Sequence, residues 1–140
     1  MEISPYLLFN GTCAEAFTVY HRVLGGTLEP IMKAGDMPPV PGAPPMSPDT
    51  VIHACLRLGN YLLMGSDDPV SYAKPAGTSV SIAVDSVEEG RRIFDALSEG
   101  GSIGMPFGET FWSPGYGMFV DRFGTPWMVN TKPVETQPTE

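Results

Sequence analysis

The chain has 140 residues and a formal net charge of −8, with 16 acidic residues against 8 basic ones. Acid outnumbers base two to one, which excludes a phosphate-binding face of clustered Lys and Arg, so no nucleic-acid partner is expected. No apolar run approaches the roughly 20 residues of a membrane helix, so no membrane partner is expected either, and 42% hydrophobic content argues for a packed core over disorder.

The opening Met1-Glu2-Ile3-Ser4-Pro5 has neither the basic region nor the apolar core of an export signal, which points to the cytoplasm. An apolar stretch from Ile3 to Phe9 predicts a first strand. Thr12 and Glu15 then have the spacing of a capping box, in which each side chain reaches an orphan N–H at a helix start. Cys13, Ala16, Phe17, Tyr20, Val23 and Leu24 fall on one helical face, and Gly25-Gly26 supplies the stop. Short alternating strands follow over Thr27 to Lys33, Thr50 to Leu58 and Tyr61 to Ser66, the last two joined at Gly59-Asn60. Between Asp36 and Asp49 lie six prolines. This segment, residues 36–49, reads as an exposed, semi-rigid insertion or as a lid or dimer-contact loop.

The second half repeats the first. Ser79 to Val84 predicts a strand, Ser86 and Glu89 a second capping box, and Val87, Ile93, Phe94 and Leu97 a buried stripe ended by Gly100-Gly101. Strands follow over Ser102 to Phe107, Gly117 to Asp121 and Pro126 to Thr131. The expected architecture is therefore α+β, a single domain over residues 1–140 made of two paired βαβββ modules, about 3–66 and 78–131, with a flexible tail at 134–140. One such module covers a single sheet face with its helix, so two must pair or curl around a cavity to protect the other face. That pairing also predicts a homodimer, because it removes exposed sheet edges.

Alternation assigns faces within the strands. Ile52, Ala54, Leu56 and Leu58 suit the helix side, which leaves Val51, His53, Cys55 and Arg57 opposite. Val80, Ile82 and Val84 suit the helix side, leaving Ser79, Ser81 and Ala83 toward a cavity. In the last strand Trp127 and Val129 oppose Pro126, Met128 and Asn130. Half-polar faces of this kind line pockets. The candidate ligand-binding residues are Cys55, Arg57, Ser79, Ser81, Trp112, Tyr116, Met128 and Asn130.

His53 is the most pointed residue. It is either a buried imidazole bonded across the sheet or a general base, with an isolated metal ligand as a further option. Glu109, in Gly108-Glu109-Thr110-Phe111-Trp112, either ties down loop amides or serves as an acid or base in an aromatic pocket. Cys55 is a small buried hydrophobe or, if His53 and Arg57 face it, a nucleophile. Cys13 and Cys55 have neither Cys-x-x-Cys nor zinc-finger spacing, so reduced thiols and no structural zinc are expected. Asp121 before Arg122-Phe123-Gly124 reads as a turn residue that bonds its own backbone two residues on. The segment Gly108 to Tyr116 carries a carboxylate, three aromatics and stiff turn formers, a composition suited to a wall that closes over a pocket.

Several runs carry a family resemblance. The opening Tyr6-Leu7-Leu8-Phe9-Asn10-Gly11, the run Leu63-Met64-Gly65-Ser66-Asp67, and Met105-Pro106-Phe107-Gly108-Glu109-Thr110-Phe111-Trp112 through Asp121-Arg122-Phe123-Gly124 to Trp127-Met128-Val129-Asn130 resemble the PhnB-like branch of the vicinal oxygen chelate superfamily, which includes glyoxalases, dioxygenases and bleomycin resistance proteins. The resemblance spans about residues 3–131. It implies a glyoxalase/bleomycin resistance-like fold, a homodimer, a small-molecule pocket and, in catalytic members, a divalent metal held by His and Glu. Those ligands would fall here at Pro5, Leu63 or Met64, Ser79 and Met128. None is a His or carboxylate, and thioethers suit hard divalent cations poorly, so neither the usual metal site nor any cofactor is expected. Some members of the branch are labelled demethylubiquinone methyltransferase-like, yet neither predicted helix begins at the Gly-rich turn that usually holds a nucleotide-type donor. Two functions remain: a metal-independent small-molecule-binding protein, or a lyase- or isomerase-type enzyme using His53 and Glu109, with an atypical metal site as an option.

Overall fold

The computed structural model describes residues 1–43 and 45–133, so the tail expected to be flexible at 134–140 lies outside the described residues. The chain divides into two compact units, Met1–Lys74 and Pro75–Glu140.

In the first unit β1 (Tyr6–Phe9), α1 (Cys13–Leu24), β2 (Thr27–Leu28), β3 (Met32–Lys33), β4 (Val51–Leu58) and β5 (Tyr61–Asp67) follow in order. The sheet runs β1-β5-β4-β2, with β3 also paired to β4. β1 lies parallel to β5, whereas β4 is antiparallel to β5, β2 and β3. The strand expected over Thr27 to Lys33 is therefore two short pieces. Pro30 lies between them and has no N–H to give a ladder, so the pairing breaks there and resumes at Met32. The proline-rich segment is a largely exposed excursion between β3 and β4. Its base is closed by Ala34 N–H to Thr50 O at 2.9 Å and Gly35 N–H to Pro48 O at 3.0 Å.

The second unit contains β6 (Val80–Val84), α2 (Val87–Ser98), β7 (Ser102–Gly108), β8 (Tyr116–Val120) and β9 (Pro126–Thr131), with sheet order β6-β9-β8-β7. β6 is parallel to β9, and the other pairs are antiparallel. Both units thus have the first strand beside the last, and the fold class is α+β with two mixed sheets.

Each helix buries most of the stripe its spacing predicts, with Leu24 and Val87 at the ends only half-buried. Phe17 and Tyr20 of α1 pack with Phe9 under the first sheet, and Phe94 of α2 packs against Phe107 and Phe119 under the second. Glycines in the strands make room for these rings: a Cβ at Gly65 would meet the Phe17 ring, and one at Gly117 the Phe94 ring. The glycine pairs after the helices serve a second purpose beyond stopping them. Gly26 passes against the Arg57 carbonyl and Gly101 against the Val120 carbonyl, so closely that neither position admits a Cβ.

The two helix starts differ. Ser86 Oγ accepts from Glu89 N–H at 3.2 Å, as the capping-box spacing predicts, while the Glu89 carboxylate pairs with Arg92 instead of reaching back. Thr12 makes no side-chain cap bond. Its expected role is taken by Asp67, at the end of β5, whose Oδ1 accepts from Gly11 N–H at 3.0 Å and Cys13 N–H at 3.1 Å. Its Oδ2 accepts from Val51 N–H at 3.0 Å. One carboxylate therefore ties the β1–α1 turn, the start of β4 and the end of β5 together. Asp67→Ala is expected to destabilise the protein by about 2–4 kcal/mol by orphaning three backbone donors, and Asp67→Asn by roughly half as much. Urea unfolding monitored by circular dichroism checks this.

Candidate functional site

Register fixes which side chains share each helix-free face, since residues directly opposite in neighbouring strands point the same way. In the first unit Ala54, Leu56 and Leu63 are buried on the helix side. The opposite face carries His53, Cys55 and Arg57 from β4, as alternation predicts, together with Met64 from β5 and Tyr6 from β1, through the pairs Cys55–Met64 and Tyr6–Met64. Val51 shares the parity of His53 but is fully buried. The Tyr6 hydroxyl lies 3.3 Å from His53 Nδ1, and the two rings stack with centroids 5.8 Å apart. His53 is half-buried and Tyr6 is 44% exposed. This is the cross-sheet partner a strand histidine needs.

Arg57 binds Glu29 at 2.8 Å. The bonded guanidinium holds the Glu29 carboxyl below its ordinary range. Cys55 is buried, and its thiol is pushed up, first by burial and then by the Glu29 charge, which together outweigh the opposing pull of Arg57. Both influences favour the thiol over the thiolate at this position.

In the second unit the helix side holds Trp127, Val129, Phe119 and Thr131. The other face presents Ser81, Met128, Asn130, Tyr116 and Met118, through the pairs Ser81–Met128, Tyr116–Asn130 and Met118–Met128. Met105 pairs with Met118, so three thioethers form a row across β7, β8 and β9 that Ser81 continues onto β6. Ser79 is half-buried just before β6. Asn130 Oδ1 is buried with no hydrogen-bond partner among the described residues. Trp112 stacks edge-to-face on Tyr116 at 5.4 Å, which brings it to the edge of this face. Glu109 is exposed on the loop before it. His53 belongs to the first unit and Glu109 to the second, so neither unit by itself contains both candidate catalytic groups.

Asp121 is a structural residue, as its turn position predicts. Its Oδ1 accepts from Phe123 N–H and Thr125 N–H, both at 2.9 Å, and its Oδ2 accepts from the Trp127 indole at 2.8 Å. Tyr6, Met105 and Met118 escaped the sequence reading. Period-two alternation in Tyr6–Phe9 carries a signal for Tyr6, but its meeting with His53 depends on the parallel β1–β5 pairing. Among the described residues no group of three or more His, Cys, Asp or Glu side chains could hold a metal. At the positions the resemblance assigns to ligands, register places Met64, and not Leu63, on the helix-free face. Pro5 brings no side-chain donor, and Met64, Ser79 and Met128 offer two thioethers and a hydroxyl, a set that does not fit a hard divalent cation.

The family model for 3-demethylubiquinone-9 3-methyltransferase matches residues 1–130. The chain belongs to this family. Protein YjdN of Escherichia coli (strain K12) is 39% identical over 149 residues, with 100% of each chain covered. Protein PA1353 from Pseudomonas aeruginosa is 48% identical with a TM-score of 0.87, over 94% of this chain and 98% of that one. A putative 3-demethylubiquinone-9 3-methyltransferase, PhnB protein, from Bacillus cereus is 25% identical with a TM-score of 0.78, over 94% and 99%. A glyoxylase/bleomycin resistance protein/dioxygenase domain from Frankia sp. EAN1pec, 13% identical with a TM-score of 0.65 over 95% and 98%, shares the fold alone. The chain is PhnB-like, with the fold seen in glyoxalase/bleomycin resistance/dioxygenase domains.

The buried thiols set a pH dependence. Burial, and after it the Asp67 charge, pushes the Cys13 thiol from its ordinary value of 9.0 up to about 12. Between those values the unfolded chain releases the proton and the folded chain keeps it, so stability falls as pH rises through about 9. Urea midpoints are expected to drop between pH 8 and pH 10, and Cys13→Ala to show a smaller drop from its own lower baseline.

Proposed function

We propose that this protein encloses a small organic molecule against its two helix-free sheet faces, without the usual divalent metal site. The observation that carries the reading is the make-up of those faces. Each combines soft apolar surface with a few polar groups, Tyr6 and His53 on one, Ser81 and the Asn130 side-chain oxygen, without a partner among the described residues, on the other. Ligand sites are built this way, mostly apolar with sparse oriented donors and acceptors. Cys55, Arg57, Ser79, Trp112, Tyr116 and Met128 complete the proposed lining. The modules pair, within one chain or between two, into a single glyoxalase-like domain, and the assembly is a homodimer. Two free buried thiols, Cys13 and Cys55, suit the reducing cytoplasm.

Methyl transfer, the activity in the description of the matching family, finds no support in the helix starts. Asp67 takes two amides at the α1 turn and Ser86 one at the α2 start, and neither start follows a Gly-rich strand-to-helix turn of the kind that holds a nucleotide. The second reading, a lyase- or isomerase-type enzyme, is favoured by the Tyr6–His53 contact. The hydroxyl engages Nδ1 and leaves Nε2 to exchange a proton with a ligand. In that reading Glu109 supplies the second acid or base when the modules pair.

A fragment screen read by nuclear magnetic resonance tests both readings. Hits are expected to bind His53→Ala at least about tenfold more weakly, while its melting temperature shifts by only about 2 °C. Collapse of stability with affinity retained makes His53 structural. Deuterium entering a hit from solvent, and lost in His53→Ala, assigns the enzyme instead. Native mass spectrometry of protein purified without chelator is expected to show a dimer free of bound metal. Stoichiometric Ni, Zn or Mn overturns the metal-free reading, and a monomer mass at every concentration overturns the dimer.

A further inference from the structure

The loop between β7 and β8 holds aromatic surface away from the core at some cost. Phe111 is 97% exposed and Trp112 46% exposed, yet the loop that carries them is firmly anchored. Ser113 is buried, and its hydroxyl donates toward the carbonyls of Gly115 at 2.9 Å and Thr131 at 3.0 Å while accepting from Gly115 N–H at 3.2 Å. Thr110 N–H donates to Ser113 O at 2.9 Å, and Ser113 N–H returns a bond to Thr110 Oγ1 at 3.1 Å. Phe111 and Trp112 therefore sit on a closed, cross-bonded turn that presents them outward.

The rings meet at near right angles. Phe111 and Trp112 are 4.7 Å apart between centroids at 81°, and Trp112 and Tyr116 are 5.4 Å apart at 70°. Beside these edge contacts the exposed Phe111 and Trp112 keep negative π surface open, which attracts the methyl groups of a quaternary ammonium. Glu109, two residues before Phe111, adds an exposed carboxylate, and residues 108–116 contain no Lys or Arg to compete for it. Tyr116 also belongs to the helix-free face of the second sheet, so the corner is the rim of the surface assigned to ligand binding. We propose that the Phe111–Trp112–Tyr116 corner, with Glu109, selects a small molecule bearing a methylated ammonium group. This rests on the binding-protein reading and names the ligand class for it.

Choline and its uncharged isostere 3,3-dimethyl-1-butanol form the test pair, titrated into ¹⁵N-labelled protein at matched ionic strength. The chain has two tryptophans. The indole of Trp127 is buried and bonded to Asp121, and serves as the internal control, whereas that of Trp112 lies in the corner. Choline is expected to shift the Trp112 indole resonance saturably, to leave Trp127 unmoved, and to bind about tenfold tighter than the isostere. Phe111→Ala, at a position exposed enough to leave folding intact, is expected to lose about fivefold in choline affinity. Glu109→Gln is expected to lose about threefold for choline and nothing for the isostere.

Equal binding of the two probes, or no saturable Trp112 shift, overturns the proposal. So does Phe111→Ala converting the assembly to a smaller species while choline binding stays unchanged, which would make the corner a contact between copies. If choline fails while neutral fragments still bind in a His53-dependent way, the ligand class is wrong and the binding-protein reading stands. If neither binds, both fall.

Discussion

Each sheet in this protein receives one helix, and the helix covers one face. That constraint decides where every other feature falls. Phe17 and Phe94 need strand positions without side chains beneath them, and Gly65 and Gly117 provide these. The buried aromatic and aliphatic residues then collect between helix and sheet, and residues of opposite parity are released from packing the core. A histidine, an arginine, a serine and an asparagine can therefore stand in strands otherwise built for burial. These polar side chains lie on the faces that the helices leave open.

The elements were legible because their signals are local. The stripe Cys13, Ala16, Phe17, Tyr20 and Val23 repeats at helical spacing, and the alternation through His53, Cys55 and Arg57 reports a face whatever the neighbouring strand is. What escaped depends on partners distant in sequence. Thr12 has the local pattern of a cap, but Asp67 supplies the bond from 56 residues beyond Gly11. Tyr6 lies in an unremarkable apolar run until β1 is laid beside β5. Pro30 was a readable breaker inside the strand expected over Thr27 to Lys33, and its effect on the ladder is local. For Cys55 the sequence neighbours suggested activation, yet burial, and after it the charge of Glu29 across the β2–β4 edge, acts the other way.

The two units solve the same packing problem with the same devices and then diverge on their open faces. Gly26 and Gly101 both pass under a strand carbonyl, and both sheets place the first strand beside the last. Met64 and Met128 occupy equivalent places, each opposite a residue of the parallel first strand, Tyr6 in one unit and Ser81 in the other. Around Met64 the neighbours are an imidazole, a phenol and a thiol. Around Met128 they are further thioethers, a hydroxyl and an amide. Methionine surface is polarisable and rotatable where rigid aliphatic packing is not, so the two open faces differ in polarity and share adaptable thioethers.

The parallel pairing of the first and last strands has a consequence for how the chain comes to exist. Tyr6 finds its ladder partner only at Met64, so the opening strand stays unpaired during synthesis until the whole first unit has left the ribosome. Contacts closed over such long loops form slowly, because the entropy of closure is lost before the new bonds repay it. The second unit repeats the delay, with β6 waiting for β9. During both intervals a strand with unsatisfied backbone groups is open to the wrong neighbour. Asp67 arrives at the end of the first interval carrying acceptors for the β1–α1 turn and for β4. Those three bonds can close only once residue 67 has been made.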